Sequence, residues 1–86
     1  MYIKKMKTFS IPKEVEELTK NMLYDMVYNY AMETGYEPGV ILIHPGNRTI
    51  DWSKFMIPRL GVNEFYFNNT RIIRTLDIHQ NQIIIV

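Results

Sequence analysis

The stretch from Lys13 to Thr34 carries the one long helical period in this chain, and the remaining residues must fold around it. Val15, Leu18, Met22, Leu23, Met26, Val27 and Tyr30 fall on one broad arc at helical spacing, a face suited to a sheet. Ser10 is the candidate N-cap, and Pro12 sits in the first turn, where a missing N–H costs nothing. Glu14, Glu16 and Glu17 place negative charge near the positive end of the helix dipole. Lys13/Glu17 and Glu16/Lys20 have the i,i+4 spacing of helical ion pairs. Gly35 follows the last periodic residue and suits the left-handed position that ends a helix.

The opposite arc is unusual. Tyr24, Tyr28 and Met32 are spaced by four and form a second stripe where a one-faced helix normally carries charge. Tyrosines with an apolar body and a polar tip are ordinary on a surface, and the N-terminal segment is a candidate cover for them. Tyr and Met are also favoured in the cores of protein interfaces, so the three residues are the predicted partner-binding site.

Beyond the helix the pattern is β. Tyr36-Glu37-Pro38-Gly39 has the composition of a type II turn, with Pro38 and Gly39 at its centre. Val40 to Ile43 is a continuous apolar run, predicting a central strand buried on both faces. His44-Pro45-Gly46-Asn47 stops it. Thr49 or Asp51 can cap a short helix through Trp52 to Met56, which Pro58 ends. Glu64 to Phe67, Asn68-Asn69 and Thr70 to Ile73 read as a hairpin, pairing Phe67 with Thr70 and Phe65 with Ile72. Ile83 to Val86 is a last strand, apolar on both faces, that must pair centrally or be covered. Residues 1–9 read as an edge strand or an arm, through Tyr2, Ile3, Met6 and Phe9. The expectation is a single α+β domain over residues 1–86. It has one long helix packed on a small, mostly antiparallel sheet, in the order α-β-α-β-β-β.

Charge and composition exclude little and direct less. Ten basic and nine acidic residues leave a net charge of +1, so no global field argues for nucleic acid or an anionic membrane. The absence of cysteine removes disulfides, thiol chemistry and cysteine-ligated metals. The N-terminus has no apolar run of the signal-peptide kind, and no segment approaches the ~20 apolar residues of a membrane span. A cytoplasmic protein without a membrane role is expected.

Candidate chemistry is thin. His44, Asp77 and His79 could offer two imidazoles and a carboxylate, but ordinary strand-end and turn roles explain them, and no His-Glu-x-x-His is present. Ser10, Ser53 and Asp51 have local capping roles, and Gly46 lies in no phosphate-binding loop. The reading is therefore a non-enzyme with no catalytic residue, no metal site and no cofactor. A runner-up is a small nucleic-acid-binding protein using Lys4, Lys5, Lys7, Arg71 and Arg74. Tyr66 opposite Arg71 would equally be a cross-strand pair.

The run Val40-Ile41-Leu42-Ile43-His44-Pro45, then Asp51-Trp52, Gly61-Val62, Arg71-Ile72-Ile73 and Ile83 to Val86, follows a long helix. That succession resembles the peripheral domain of tailed-phage major capsid proteins, where a long helix precedes a strand ending in Asn-Pro or His-Pro and a short helix. The resemblance spans residues 13–86 through degenerate motifs, and the chain lacks the extended loop and axial domain that build a shell. It implies a phage-like structural or accessory protein, virion-associated if phage-encoded. Such a protein would act through a protein partner or as a homo-oligomer.

Overall fold

A computed structural model describes residues 5–59 and 61–86. Strand β1 (Lys7–Ser10) leads through a bent segment to helix α1 (Lys20–Thr34). Strand β2 (Val40–Ile43), a 3₁₀ turn (Trp52–Lys54) and strands β3 (Met56–Arg59), β4 (Val62–Phe67), β5 (Thr70–Arg74) and β6 (Gln82–Ile85) follow. The strands form one sheet in the order β1-β6-β2-β5-β4-β3. Among the described residues only β2 and β5 pair in parallel; the other four pairings are antiparallel. The α+β class and the mostly antiparallel sheet agree with the sequence. The expected order does not, because β1 and β3 add a strand at each edge.

The hairpin forms as its residues dictate. Phe67 pairs with Thr70, Tyr66 with Arg71 and Phe65 with Ile72. Asn68 takes φ 52°, the left-handed region that asparagine tolerates in a tight turn. Residues 7–10 form the expected edge strand; Tyr2 and Ile3 lie outside the described residues.

The helix starts later than its periodicity suggests. Ser10 belongs to β1, and Thr19 is the N-cap: its backbone is extended (φ −79°, ψ 161°) and its Oγ1 accepts from the Met22 N–H at 3.1 Å. The cause is tertiary. The Leu18 N–H donates to the Thr49 carbonyl at 2.8 Å, and Ile11 donates to Asn81 at 2.8 Å, so the segment between is tied to two loops. Its apolar residues Ile11 and Leu18 are buried without helical geometry. Pro12, Glu14, Glu16 and Glu17 therefore precede the helix, whose first turn holds no acidic residue. The expected Lys13/Glu17 and Glu16/Lys20 pairs thus lose their helical frame; Glu17 instead meets Lys54 at 3.1 Å. Gly35 ends the helix as expected, at φ 76°, with its N–H on the Ala31 carbonyl at 2.9 Å. Thr19→Ala should cost about 1 kcal/mol of stability and Ser10→Ala less than about 0.5. Urea denaturation of the two variants checks this, and equal losses would contradict the assigned cap.

Two further local readings are corrected. The predicted short helix is only the 3₁₀ turn Trp52–Lys54, capped by Asp51, and Met56 already belongs to β3. Pro58 lies within that edge strand rather than ending a helix; an edge position is where a residue without an N–H fits a sheet. The expected type II turn requires positive φ at Gly39, but the positive-φ glycines are Gly35 and Gly61. Gly39 instead donates its N–H to the Val86 carbonyl at 2.8 Å, beginning the β2–β6 pairing early.

The core lies on one side of the sheet. Ile41 and Ile43 of β2, Ile83 and Ile85 of β6, Ile72 of β5 and Phe65 and Phe67 of β4 meet Leu18, Leu23 and Tyr30. Tyr30 is fully buried, and its hydroxyl donates to the Lys5 carbonyl at 2.8 Å, which satisfies the phenol inside the core. The alternate residues of the same strands point the other way. Val40, Leu42, Ile84 and Val86 are half-buried and Ile73 is exposed, and none packs on the core. The expectation that Val40–Ile43 is buried on both faces is therefore overturned. Both strands are central, as predicted, but a single helix can cover only one face of a six-stranded sheet.

Candidate protein-interaction surface

The outer face of α1 carries the predicted stripe in the open. Tyr24, Tyr28 and Met32 are 57%, 54% and 68% exposed. Strand β1 does not cover them, because it pairs with β6 at the edge of the sheet. The helix thus presents tyrosine in two roles: Tyr30 sealed in the core, Tyr24 and Tyr28 in solvent.

Two of the three line a cleft of about 440 Å³. One wall is Tyr24, Val27, Tyr28 and Ala31 of α1. Glu37 and Pro38, from the link to β2, close one end, and Asn68, Asn69 and Thr70 of the β4–β5 turn form the other wall. Three local choices position these walls. The left-handed Gly35 breaks the helix. Thr34 Oγ1 donates to the Tyr30 carbonyl at 2.7 Å and accepts from the Tyr36 N–H at 3.2 Å, turning the chain toward Pro38. The tight turn at Asn68 holds the hairpin tip opposite the helix. The cleft has an apolar floor at Val27 and Ala31 and a rim of two phenols, one carboxylate and two amides. That pattern, an apolar centre inside a polar margin, is the anatomy of a protein interface. Met32 lies one turn beyond the cleft and extends its apolar side along the helix.

Among the described residues, the runner-up's basic side chains are not brought to one surface. Lys4 lies outside the described residues. Lys5 is exposed ahead of β1, while Lys7 pairs with Glu33 and lies 5.0 Å from the Phe9 ring. Arg71 and Arg74 are on the fourth strand across and point to opposite faces of the sheet. Arg71 meets Glu64 at 3.2 Å on the open face, next to its cross-strand partner Tyr66. The Arg74 guanidinium lies over the Phe65 ring at 4.5 Å and near Trp52 at 5.4 Å, on the core side.

Local hydrogen bonds account for the polar groups weighed as chemistry. His44 Nδ1 accepts from the Gly46 N–H at 2.8 Å, and His79 Nδ1 from the Asn81 N–H at 3.1 Å. Each imidazole holds its own turn. Asp77 bonds with Thr75, its N–H donating to Thr75 Oγ1 at 3.2 Å. Among the described residues, no group of three His, Asp or Glu is placed to hold a metal ion. The Ser53 hydroxyl donates to Asp51 Oδ1 at 2.6 Å, and this bond holds the Asp51 carboxyl below the usual carboxylate range. The geometry is that of a turn cap, with the carboxylate accepting from both Ser53 donors.

Two features escape the sequence. The cleft's second wall depends on where the hairpin tip docks, which no local pattern encodes. Asn47 is 4% exposed; its Oδ1 accepts from the Thr49 N–H and hydroxyl, at 3.0 and 2.7 Å, which shapes the loop that receives Leu18. Asn in a Pro-Gly-Asn turn is a visible signal for such a loop, but its burial is not.

Compared with protein-family models, with curated proteins and with solved structures, the chain matches none. No helix among the described residues is long and apolar enough to cross a membrane.

Proposed function

We propose that this is a non-enzymatic, phage-like structural or accessory protein that acts through protein–protein contact and self-associates. One observation carries the reading: an aromatic-and-methionine stripe, more than half exposed, runs along the single helix and opens into a cleft. Large side chains of low rotamer entropy, set beside an apolar floor, are what a partner's hot-spot residue docks against. The partner chemistry that fits is a protein segment with an apolar or aromatic anchor and a hydrogen-bonding group for Glu37, Asn68 or Asn69. The resemblance to the capsid peripheral domain supports an assembly as the setting, in the cytoplasm or on a virion.

Light scattering over a concentration series tests self-association, with an average mass that rises above the monomer expected. Affinity capture from the native host, run in parallel with wild type and Tyr24→Ala/Tyr28→Ala, tests the helix face. The double variant should lose a partner that wild type retains, a weakening of about 2–4 kcal/mol or roughly 30- to 1,000-fold. Its own stability should change by less than about 1 kcal/mol, since both side chains are exposed. A strict monomer whose double variant retains every partner of the wild type would remove the reading.

A further inference from the structure

The sheet's second face is the largest feature that the helix stripe does not use. Alternation along the strands places one row across it: Thr8, Ile84, Leu42, Ile73 and Glu64, in β1, β6, β2, β5 and β4. Val40 and Val86 widen its apolar centre. Its apolar members are not among the side chains packed on the core, and Ile73 is 41% exposed. From β1 to β4 the charges on this face are Glu64 and Arg71, which meet each other at 3.2 Å. An occupant therefore has to supply apolar surface and no net charge.

We infer that a second copy of this chain covers the face, the two sheets packing across a two-fold axis that runs along β2. The inference rests on the reading that the protein self-associates and assigns the surface that does it. The strand order makes the face complementary to itself about that axis. Leu42 meets Leu42, Ile84 meets Ile73, and Glu64 meets the hydroxyl of Thr8. No carboxylate lies on a carboxylate and no guanidinium on a guanidinium. An axis along the strands also leaves the two sheets aligned, the arrangement in which twisted sheets stack about 10 Å apart. The five strands from β1 to β4, at about 4.8 Å, and four residues at about 3.3 Å span only ~19 by 13 Å, smaller than a standard interface. The dimer is accordingly a weak, reversible one, and the helix face stays free for a different partner.

Sedimentation equilibrium of the full chain over a concentration series tests this, with far-UV circular dichroism to confirm that each variant is folded. A monomer–dimer equilibrium is expected. Ile73→Lys should raise its dissociation constant about tenfold or more, and Leu76→Lys, at an exposed residue outside the strands, should leave it unchanged. Leu42→Cys, in a chain without cysteine, supplies a readout that does not depend on destabilising anything. A short bis-maleimide, which spans the ~10 Å between stacked sheets, should link Leu42→Cys into dimers, because the axis sets that position against itself, and should not link Leu76→Cys. A dimer that tolerates Ile73→Lys and leaves Leu42→Cys unlinked overturns the sheet-face assignment while self-association stands. A monomer at every concentration overturns both.

Discussion

Tyr30→Ala is expected to remove about 3–5 kcal/mol of stability, a large share of the ~5–15 kcal/mol available to a small domain. Tyr30 is fully buried under the helix, against the row of isoleucines from β2 and β6. Truncation leaves a ring-sized cavity that close-packed neighbours fill only in part. It also removes the phenol that donates to the Lys5 carbonyl at 2.8 Å, the bond joining the helix to the chain just ahead of β1. Tyr30→Phe separates the two effects. It keeps the ring and loses the hydrogen bond, and should cost only about 1 kcal/mol. Urea denaturation of the pair measures both. An alanine variant no weaker than the phenylalanine one would show that the ring is not the keystone of this core.

The second large effect distinguishes neighbours in one sequence run. Ile83→Ala should cost about 2–5 kcal/mol, because Ile83 is fully buried on the core face. Ile84→Ala should cost about 1 kcal/mol or less, since Ile84 is only half-buried on the face the helix does not reach. The two residues have the same side chain and sit in the same strand. A common effect of composition or β propensity would move both alike, whereas a one-sided sheet predicts several-fold asymmetry. Thermal or urea unfolding at low protein concentration decides between them. Low concentration matters because dimerisation through the open face would add stability at Ile84 by mass action.

The asymmetry also explains which expectations the chain could support. Continuous β-favouring apolar content marks Val40–Ile43 and Ile83–Val86 as strands, and their central places follow from that. A run apolar at every position gives no information about how many layers cover it, so composition alone does not decide whether a second face is buried. Only the count of helices against strands in the folded molecule shows that, among the described residues, no helix covers the second face. The helix start failed for a related reason. Pro12 and three glutamates are good first-turn residues, but Leu18 gives its N–H to Thr49, a residue far along the chain. Local propensity is worth a few tenths of a kcal/mol per residue and yields to such a tether.

The candidate site divides in the same way. Periodicity alone set Tyr24, Tyr28 and Met32 on one side of the helix and Leu23 and Tyr30 on the other, because helical spacing is a local property. The hairpin pairing Phe65–Ile72 was equally legible, since an Asn-Asn turn between apolar strands leaves one register that keeps both phenylalanines on the core face. Tertiary structure decided the rest. It separated Arg71 from Arg74, sending one to Glu64 and the other onto Phe65, and it brought Asn68 and Asn69 opposite the helix to turn a stripe into a cleft. The sequence by itself determined which faces are apolar. What covers each face depends on contacts between residues far apart in the chain, and their energies exist only once the chain has folded.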